Sequence, residues 1–232
     1  YVLVRLGCKI SQFGKFNGSR HVPGVGFHEL VLIFDQTHSV RPDEALTVKA
    51  LQQGDETAFR SFVEEWQDMV FNTILGIVQN EEDAEDAAQD TFIQAYESIA
   101  HFKGDSKLST WLYRIAVSKA LDHLRRKKRK KRFAFVQSLF GLNEEVVSKD
   151  SGFRHPGLAL ENKEKGALVF AAIDKLPENQ KTAFVLHKLE GLSYQEVAAV
   201  METTVPAVES LIHRARQQLR KLLETYYRKN PE

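Results

Sequence analysis

Apolar residues fall into two regimes along this chain. Before residue 43 they come in short snatches, YVLVRL and ELVLIF, broken by Gly7, Gly14, Gly18, Gly24, Gly26 and Pro23, and neither strand nor helix periodicity lasts more than a few positions. Such a stretch has little means of offsetting the entropy of being ordered, so residues 1–42 are expected to be disordered. From Asp43 the spacing becomes helical and stays so. Glu44 to Gln53 reads as a short helix stopped by Gly54. Asp55 then caps a long one, in which Phe59, Phe62, Val63, Trp66, Met69, Val70, Ile74, Leu75 and Val78 recur at three and four. The next helix, Glu82 to Ala100, turns Ala84, Ala87, Ala88, Phe92, Ala95 and Ile99 inward. A polar loop from Phe102 follows, and Ser109 with Thr110 is placed to cap a helix carrying Leu112, Ile115, Ala116, Leu121 and Leu124.

The pattern lapses from Phe133 to Arg154, where Gly141, Asn143, Ser148, Ser151 and Gly152 are scattered among a few apolar residues, as in a linker. His155 and Pro156 open another helix, Gly157 to Leu176, with Leu160, Ala167, Leu168, Ala171 and Ala172 on a core face and Pro177 at its end. Glu178 to Glu190 is the next, broken by Gly191. Ser193 and Glu196 then form a capping box on a short helix reaching Met201. Glu202 and Thr203 make a turn, and Thr204 with Pro206 starts a further helix. This is helix-turn-helix spacing. Val208, Leu211, Ile212, Ala215 and Leu219 bury one face of the last helix, leaving Ser210, His213, Arg214, Gln217 and Lys221 outside.

The fold expected is all-α: two small helical domains joined by a flexible linker, the second containing the helix-turn-helix. The boundaries are 1–42 for a disordered or non-native extension, 43–132 for the first domain, 133–155 for the linker and 156–229 for the second domain. A non-native origin for residues 1–42 is suggested by the start at Tyr1 and by Met69 and Met201 being the only methionines.

Composition narrows the setting. With 232 residues, 43% of them hydrophobic, there is ample material for one or two cores. Cys8 is the single cysteine, so no disulfide framework or thiolate cluster exists and a cytoplasmic setting is expected. No apolar run approaches the ~20 residues that span a bilayer, so no membrane insertion is expected.

Charge is what changes the picture most. His101 to Arg132 holds twelve Lys or Arg against Asp105 and Asp122, a local +10 in a chain of formal net charge +1, so the remaining 200 residues sum to −9. A face that grips phosphates needs such a partition. Trp111 stands where the polar loop meets the cationic helix, suited to holding an unpaired base by stacking, or else to anchoring a core. Between Glu81 and Glu97, by contrast, lie seven acids and no base, a helix that repels itself unless a basic partner docks on it. Asp83, Asp86 and Asp90 run along a ridge with no nearby His, which disfavours a metal site. No metal and no cofactor are expected.

The order of these features, DAEDAAQDTF, FKGDSKLSTWLYRIA, the basic helix, and LPENQKTAFVLHKLEGLSYQEVAAVM ending in HRARQQLR, resembles the extracytoplasmic-function sigma factors of bacterial RNA polymerase from about Asp43 to Arg228. The resemblance implies a non-enzymatic protein that binds core RNA polymerase, recognises promoter DNA as duplex and as opened strand, and assists strand opening. An anti-sigma factor is a further candidate partner. By match, polymerase docking falls on Asp83, Asp86, Gln89 and Asp90. The minus-ten element and melting fall on Lys103, Ser109, Thr110, Trp111, Arg114, Lys119, His123, Arg125 and Arg126. The minus-thirty-five element falls on Ser193, Tyr194, Thr204, Ser210, His213, Arg214 and Gln217. The chain departs from the family pattern in two places: Ser118 stands where Asn is frequent, and Glu209, Ser210 and Leu211 stand where a Lys-Ser-Arg run is frequent. Glu209 would repel phosphate but could accept from a cytosine amino group. Two other readings remain open at this level. One is a helix-turn-helix regulator of duplex DNA that docks on no polymerase, which leaves the acidic helix and the Trp111 loop without a role. The other is a metal-dependent nucleic-acid enzyme.

Overall fold

Residues 44–139 and 163–229 are described by the computed structural model; expectations for residues 1–43, 140–162 and 230–232 lie outside them. Helix α1, Glu44–Gln52, turns through Gly54 (φ +76°) into α2, Glu56–Val78. Asp55 caps α2 as its sequence position suggests, one carboxylate oxygen accepting from the amides of Thr57 at 2.8 Å and Ala58 at 3.1 Å. Removing that acceptor strands two helix N-terminal donors, so Asp55→Ala is expected to lower stability by about 1 kcal/mol. A reduced denaturant midpoint at unchanged slope is the check. Gln79, in the left-handed region (φ 59°), ends α2, and the Asn80 side chain caps α3, Glu81–Ser98, by accepting from the Asp83 amide at 2.8 Å. The acids of its first turn, Glu81, Glu82 and Asp83, lie at the positive end of the helix dipole.

After a 3-10 turn, Ile99–His101, and the polar loop, α4 runs from Leu108 to Leu139. Helices α2, α3 and α4 pack mutually around Phe62, Ile74, Leu75, Phe92, Leu112 and Ala116, with Phe62 and Phe92 meeting edge to face at 6.2 Å. Two expectations need correcting here. Ser109 and Thr110 do not cap α4, because they lie inside its first turn; the Glu44 carboxylate, arriving from α1, accepts from the Leu108 amide instead. The linker also starts later than position 133. The backbone stays helical through Leu139, which follows from straight-chain Lys and Arg being good helix formers and from no Gly or Pro occurring before Gly141.

The second half comprises α5 (Lys163–Asp174), α6 (Glu178–Phe184), a π-helical turn (Val185–Leu189), α7 (Tyr194–Val200) and α8 (Val205–Lys229). The helix expected from Glu178 to Glu190 is therefore α-helical only to Phe184 before widening. Ala171, expected in the core, is exposed; Ala172 and Ile173 face inward with Leu176, Phe184, Ala215 and Leu219. The capping box of Ser193 and Glu196 forms in both directions. Glu202 (φ 51°) makes the turn to α8, whose first hydrogen bond runs from the Val208 amide to the Thr204 carbonyl at 3.1 Å. Lys181 is only 4% exposed, and its ammonium reaches Asp174 at 2.7 Å, pinning α6 to the end of α5.

The two halves also touch. Val185, Leu186, Leu192, Val197 and Ala198 belong to the same continuous core as α2 and α4.

Candidate polymerase and nucleic-acid interfaces

The acidic ridge of α3 finds part of its basic counterpart within the chain. Asp83 receives His123 Nε2 at 3.0 Å and Lys127 Nζ at 2.5 Å, both from α4, and its side chain is only 19% exposed. Asp90 meets Arg126 at 3.5 Å, and Lys119 donates to Gln94 at 3.3 Å. The expectation of an unrelieved, self-repelling helix is thus corrected: α4 lies alongside α3 with cations in register. Glu81, Glu82, Asp86 and Glu97 remain exposed, with Gln89 and Asp90 half-buried. Among the four residues matched to docking, Asp86 is the exposed one and Asp83 the one turned inward.

The loop ahead of α4 is held at its start by Gln52, whose amide donates to the Phe102 carbonyl at 2.8 Å. Gly104 (φ +78°) supplies the bend, and Lys103 is exposed. Trp111 is half-buried, its ring 5.3 Å from that of Phe102 in a tilted pair, while Thr110 is buried and Ser109 half-buried. Down α4, Arg125 pairs with Asp122 at 3.0 Å, and Arg129, Lys130, Lys131 and Arg132 are exposed. The basic helix therefore divides its basic residues. His123, Arg126 and Lys127 brace α3, whereas the run from Lys128 onward, apart from the tie of Lys128 to Glu178 at 2.5 Å, faces solvent.

On α8, Glu209, Ser210, His213, Arg214 and Gln217 are all exposed on the face opposite Val208, Ile212, Ala215 and Leu219. Gln217 and His213, one turn apart, are 2.9 Å from each other. Thr204 is exposed at the helix start, where an amide-rich N-terminus can receive a phosphate. Ser193 is committed to its capping box, and the Tyr194 ring lies 4.6 Å from that of His187. His187 donates from Nδ1 to the Leu192 carbonyl at 2.8 Å, and burial pulls its pKa down.

A polar cluster between the halves was not legible in the sequence. The Tyr113 hydroxyl of α4 donates to Glu190 Oε2 at 3.3 Å, with the buried Thr73 of α2 near the same carboxyl. Burial, the largest cause, pushes Glu190 up to about 7 and raises Tyr113 as well. Nearby, Arg114 Nε donates to the Ala199 carbonyl at 3.0 Å and Lys107 pairs with Glu196 at 3.2 Å. Arg114 was expected to be open to solvent and is half-buried instead, because α7 covers its side of α4. The one sequence signal for this contact was Gly76, a glycine in the apolar last turns of α2 with no turn to make.

Among the described residues, no group of three His, Cys, Asp or Glu side chains could hold a metal ion, and no helix is long and apolar enough to cross a membrane.

Comparison with known proteins accounts for both halves. Residues 62–130 match the family described as Sigma-70 region 2, and residues 167–219 match Sigma-70, region 4. Over 191 residues the chain is 35% identical to the RNA polymerase sigma-H factor of Pseudomonas aeruginosa, spanning 78% of this chain and 94% of that protein. It is 37% identical over 177 residues to the ECF RNA polymerase sigma-E factor of Haemophilus influenzae, spanning 76% and 93% respectively. The solved structure of CnrH in complex with the cytosolic domain of CnrY aligns with a TM-score of 0.58 at 25% identity, over 78% of this chain and 97% of that one. With more than a third of aligned positions identical across nearly the whole of these relatives, the chain belongs to the extracytoplasmic-function sigma factors of the sigma-70 family.

Proposed function

We propose that this sigma factor divides its work among three surfaces. The acids of α3 around exposed Asp86 and half-buried Asp90 dock on a basic surface of core RNA polymerase. The loop from Phe102 to Thr110, Trp111 and the solvent-facing cations of α4 engage the minus-ten region and hold it open. The outer face of α8, from Thr204 to Gln217, reads duplex at the minus-thirty-five element. The observation carrying this reading is the separation of two unlike nucleic-acid surfaces on one chain. A recognition helix exposes Ser210, His213, Arg214 and Gln217, and a separate basic helix has a tryptophan at its loop end. A duplex-only regulator has no use for the second surface. The phosphodiester chemistry belongs to the polymerase, and the protein acts in the cytoplasm, where that enzyme works. An anti-sigma factor is a fitting regulator: the sigma factor RpoE of Bartonella quintana, which shares this fold, is seen in complex with the anti-sigma factor NepR.

Purified core polymerase and a template bearing the cognate promoter test this directly. Specific initiation is expected only when this chain is added, and a core enzyme indifferent to it would refute the proposal. Reversing Asp86 and Asp90 together to Lys is expected to weaken core binding about tenfold, the scale of one or two interfacial charge pairs turned repulsive. Helical content should stay constant, because Asp86 is exposed and Asp90 has only a long, solvent-screened pair with Arg126. Titration against labelled core, with circular dichroism alongside, reads both, and unaltered affinity would remove α3 from the docking surface.

A further inference from the structure

The loop from Phe102 to Lys107 is bounded by two helix ends, and one short helix holds both. Where the chain enters the loop, after the 3-10 turn Ile99–His101, the Gln52 amide donates to the carbonyls of Phe102 at 2.8 Å and Ile99 at 3.4 Å. Where the chain leaves it, the Leu108 amide is one of the donors that the first turn of α4 cannot satisfy, and the Glu44 carboxylate accepts from it. Glu44 and Gln52 are the first and last residues of α1, so that helix spans the mouth of the loop from rim to rim. Their partners lie 64 and 50 residues away. The helix is itself fixed by Leu51, buried in the core shared with α2 and α4, and by Val48 packed against it. Between the two rims Lys103, Gly104 and Asp105 are exposed, and the rings of Phe102 and Trp111 meet at 5.3 Å across the base.

We propose that Glu44 and Gln52 are positioning residues: α1 holds both rims of the loop, so that the place for an unpaired base beside Trp111 is formed before the opened strand arrives. The strand-holding role of the loop is the one proposed above, on which this rests. Helix α1 lies ahead of the stretch matched to Sigma-70 region 2, which begins at residue 62. A site that is competent in only a fraction of molecules loses affinity by that fraction, so a released rim that leaves roughly a tenth of the loops well formed lowers affinity about tenfold. Charge alone works in the opposite direction. Glu44 is an anion beside a strand-binding loop, and were it merely nearby, its removal would strengthen the hold on phosphates.

Holoenzyme assembled from core polymerase and the full chain is bound to two labelled forms of the cognate promoter. One is fully duplex; the other is a fork, duplex at the minus-thirty-five element and with the non-template strand unpaired across the minus-ten region. Glu44→Ala removes the acceptor, and Gln52→Met keeps an unbranched side chain of similar length without the donor. Each is expected to weaken fork binding about tenfold, with duplex binding and core affinity unchanged. Glu44→Gln keeps an acceptor at the same reach without the charge and is expected to recover most of the loss. In the free chain, amide exchange of peptides covering residues 102–110 should quicken in Glu44→Ala and Gln52→Met and stay near the parent's in Glu44→Gln. A purely structural role for α1 would lower the melting temperature without separating fork from duplex, and that result would overturn the proposal. So would unchanged loop exchange, fork binding equal to the parent's in both variants, or a tighter fork complex in Glu44→Ala. Should Glu44→Ala fail to fold, Gln52→Met decides alone. A parent that holds the fork no better than the duplex would instead overturn the opened-strand role of the loop, with the brace itself still read by exchange.

Discussion

Replacing Trp111 by alanine is expected to leave closed promoter complexes nearly intact and to reduce strand opening by one to two orders of magnitude. Stacking of an aromatic side chain on an unpaired base is worth about 1–3 kcal/mol, and none of it is available until the base leaves the duplex. The structure sharpens the test, because the Trp111 ring is half-buried against Phe102 and so has a packing role as well. Trp111→Phe keeps a ring and Trp111→Leu keeps only apolar bulk. If stacking is the function, Phe restores much of the opening and Leu does not. If packing is the function, Leu restores opening as well as Phe. Permanganate reactivity of unpaired thymines in the holoenzyme complex reads opening, and thermal melting checks that each variant is folded.

Arg214→Ala is expected to show the opposite profile: weaker closed complexes, with opening from the closed complex unchanged. Arg214 is exposed on α8 beside His213 and one turn before Gln217, on the face opposite buried Val208, Ile212 and Ala215. A bidentate contact to a guanine edge is worth about 1–3 kcal/mol and discriminates among sequences, whereas a phosphate contact weakens all sequences alike and lowers the salt slope by about one. Binding of holoenzyme to minus-thirty-five variants over a salt series separates these two roles. Equal affinity of parent and variant at every salt concentration would take Arg214 out of the interface.

The elements that could be read from the chain are those whose signals are local. Asp55 with the apolar series after it, the Ser193 and Glu196 box, Gly191 after the last turn, and the alternation of buried and exposed residues on α8 each lie within a few positions of what they specify. So does the charge partition that marks α4. Each of these is fixed by backbone hydrogen bonding or by a 3.6-residue period that neighbouring residues alone establish.

What the tertiary structure decided are the matters in which a side chain's partner is remote in sequence. The cap of α4 comes from Glu44, 64 residues away, and not from Ser109 or Thr110 beside it. The acidic ridge is steadied by His123, Arg126 and Lys127, because helix packing sets α4 next to α3, and this divides one run of like charge between bracing and solvent. Phe184 to Leu189 gives no local sign of a π-helical turn, yet the turn places Val185 over Gly76 and Glu190 under Tyr113. Periodicity says which face of a helix is apolar, but an apolar face is satisfied by any complementary surface. Which surface it meets depends on shape and loop closure across the whole chain, and so the contact between the two halves belongs to the fold and not to any stretch of the sequence.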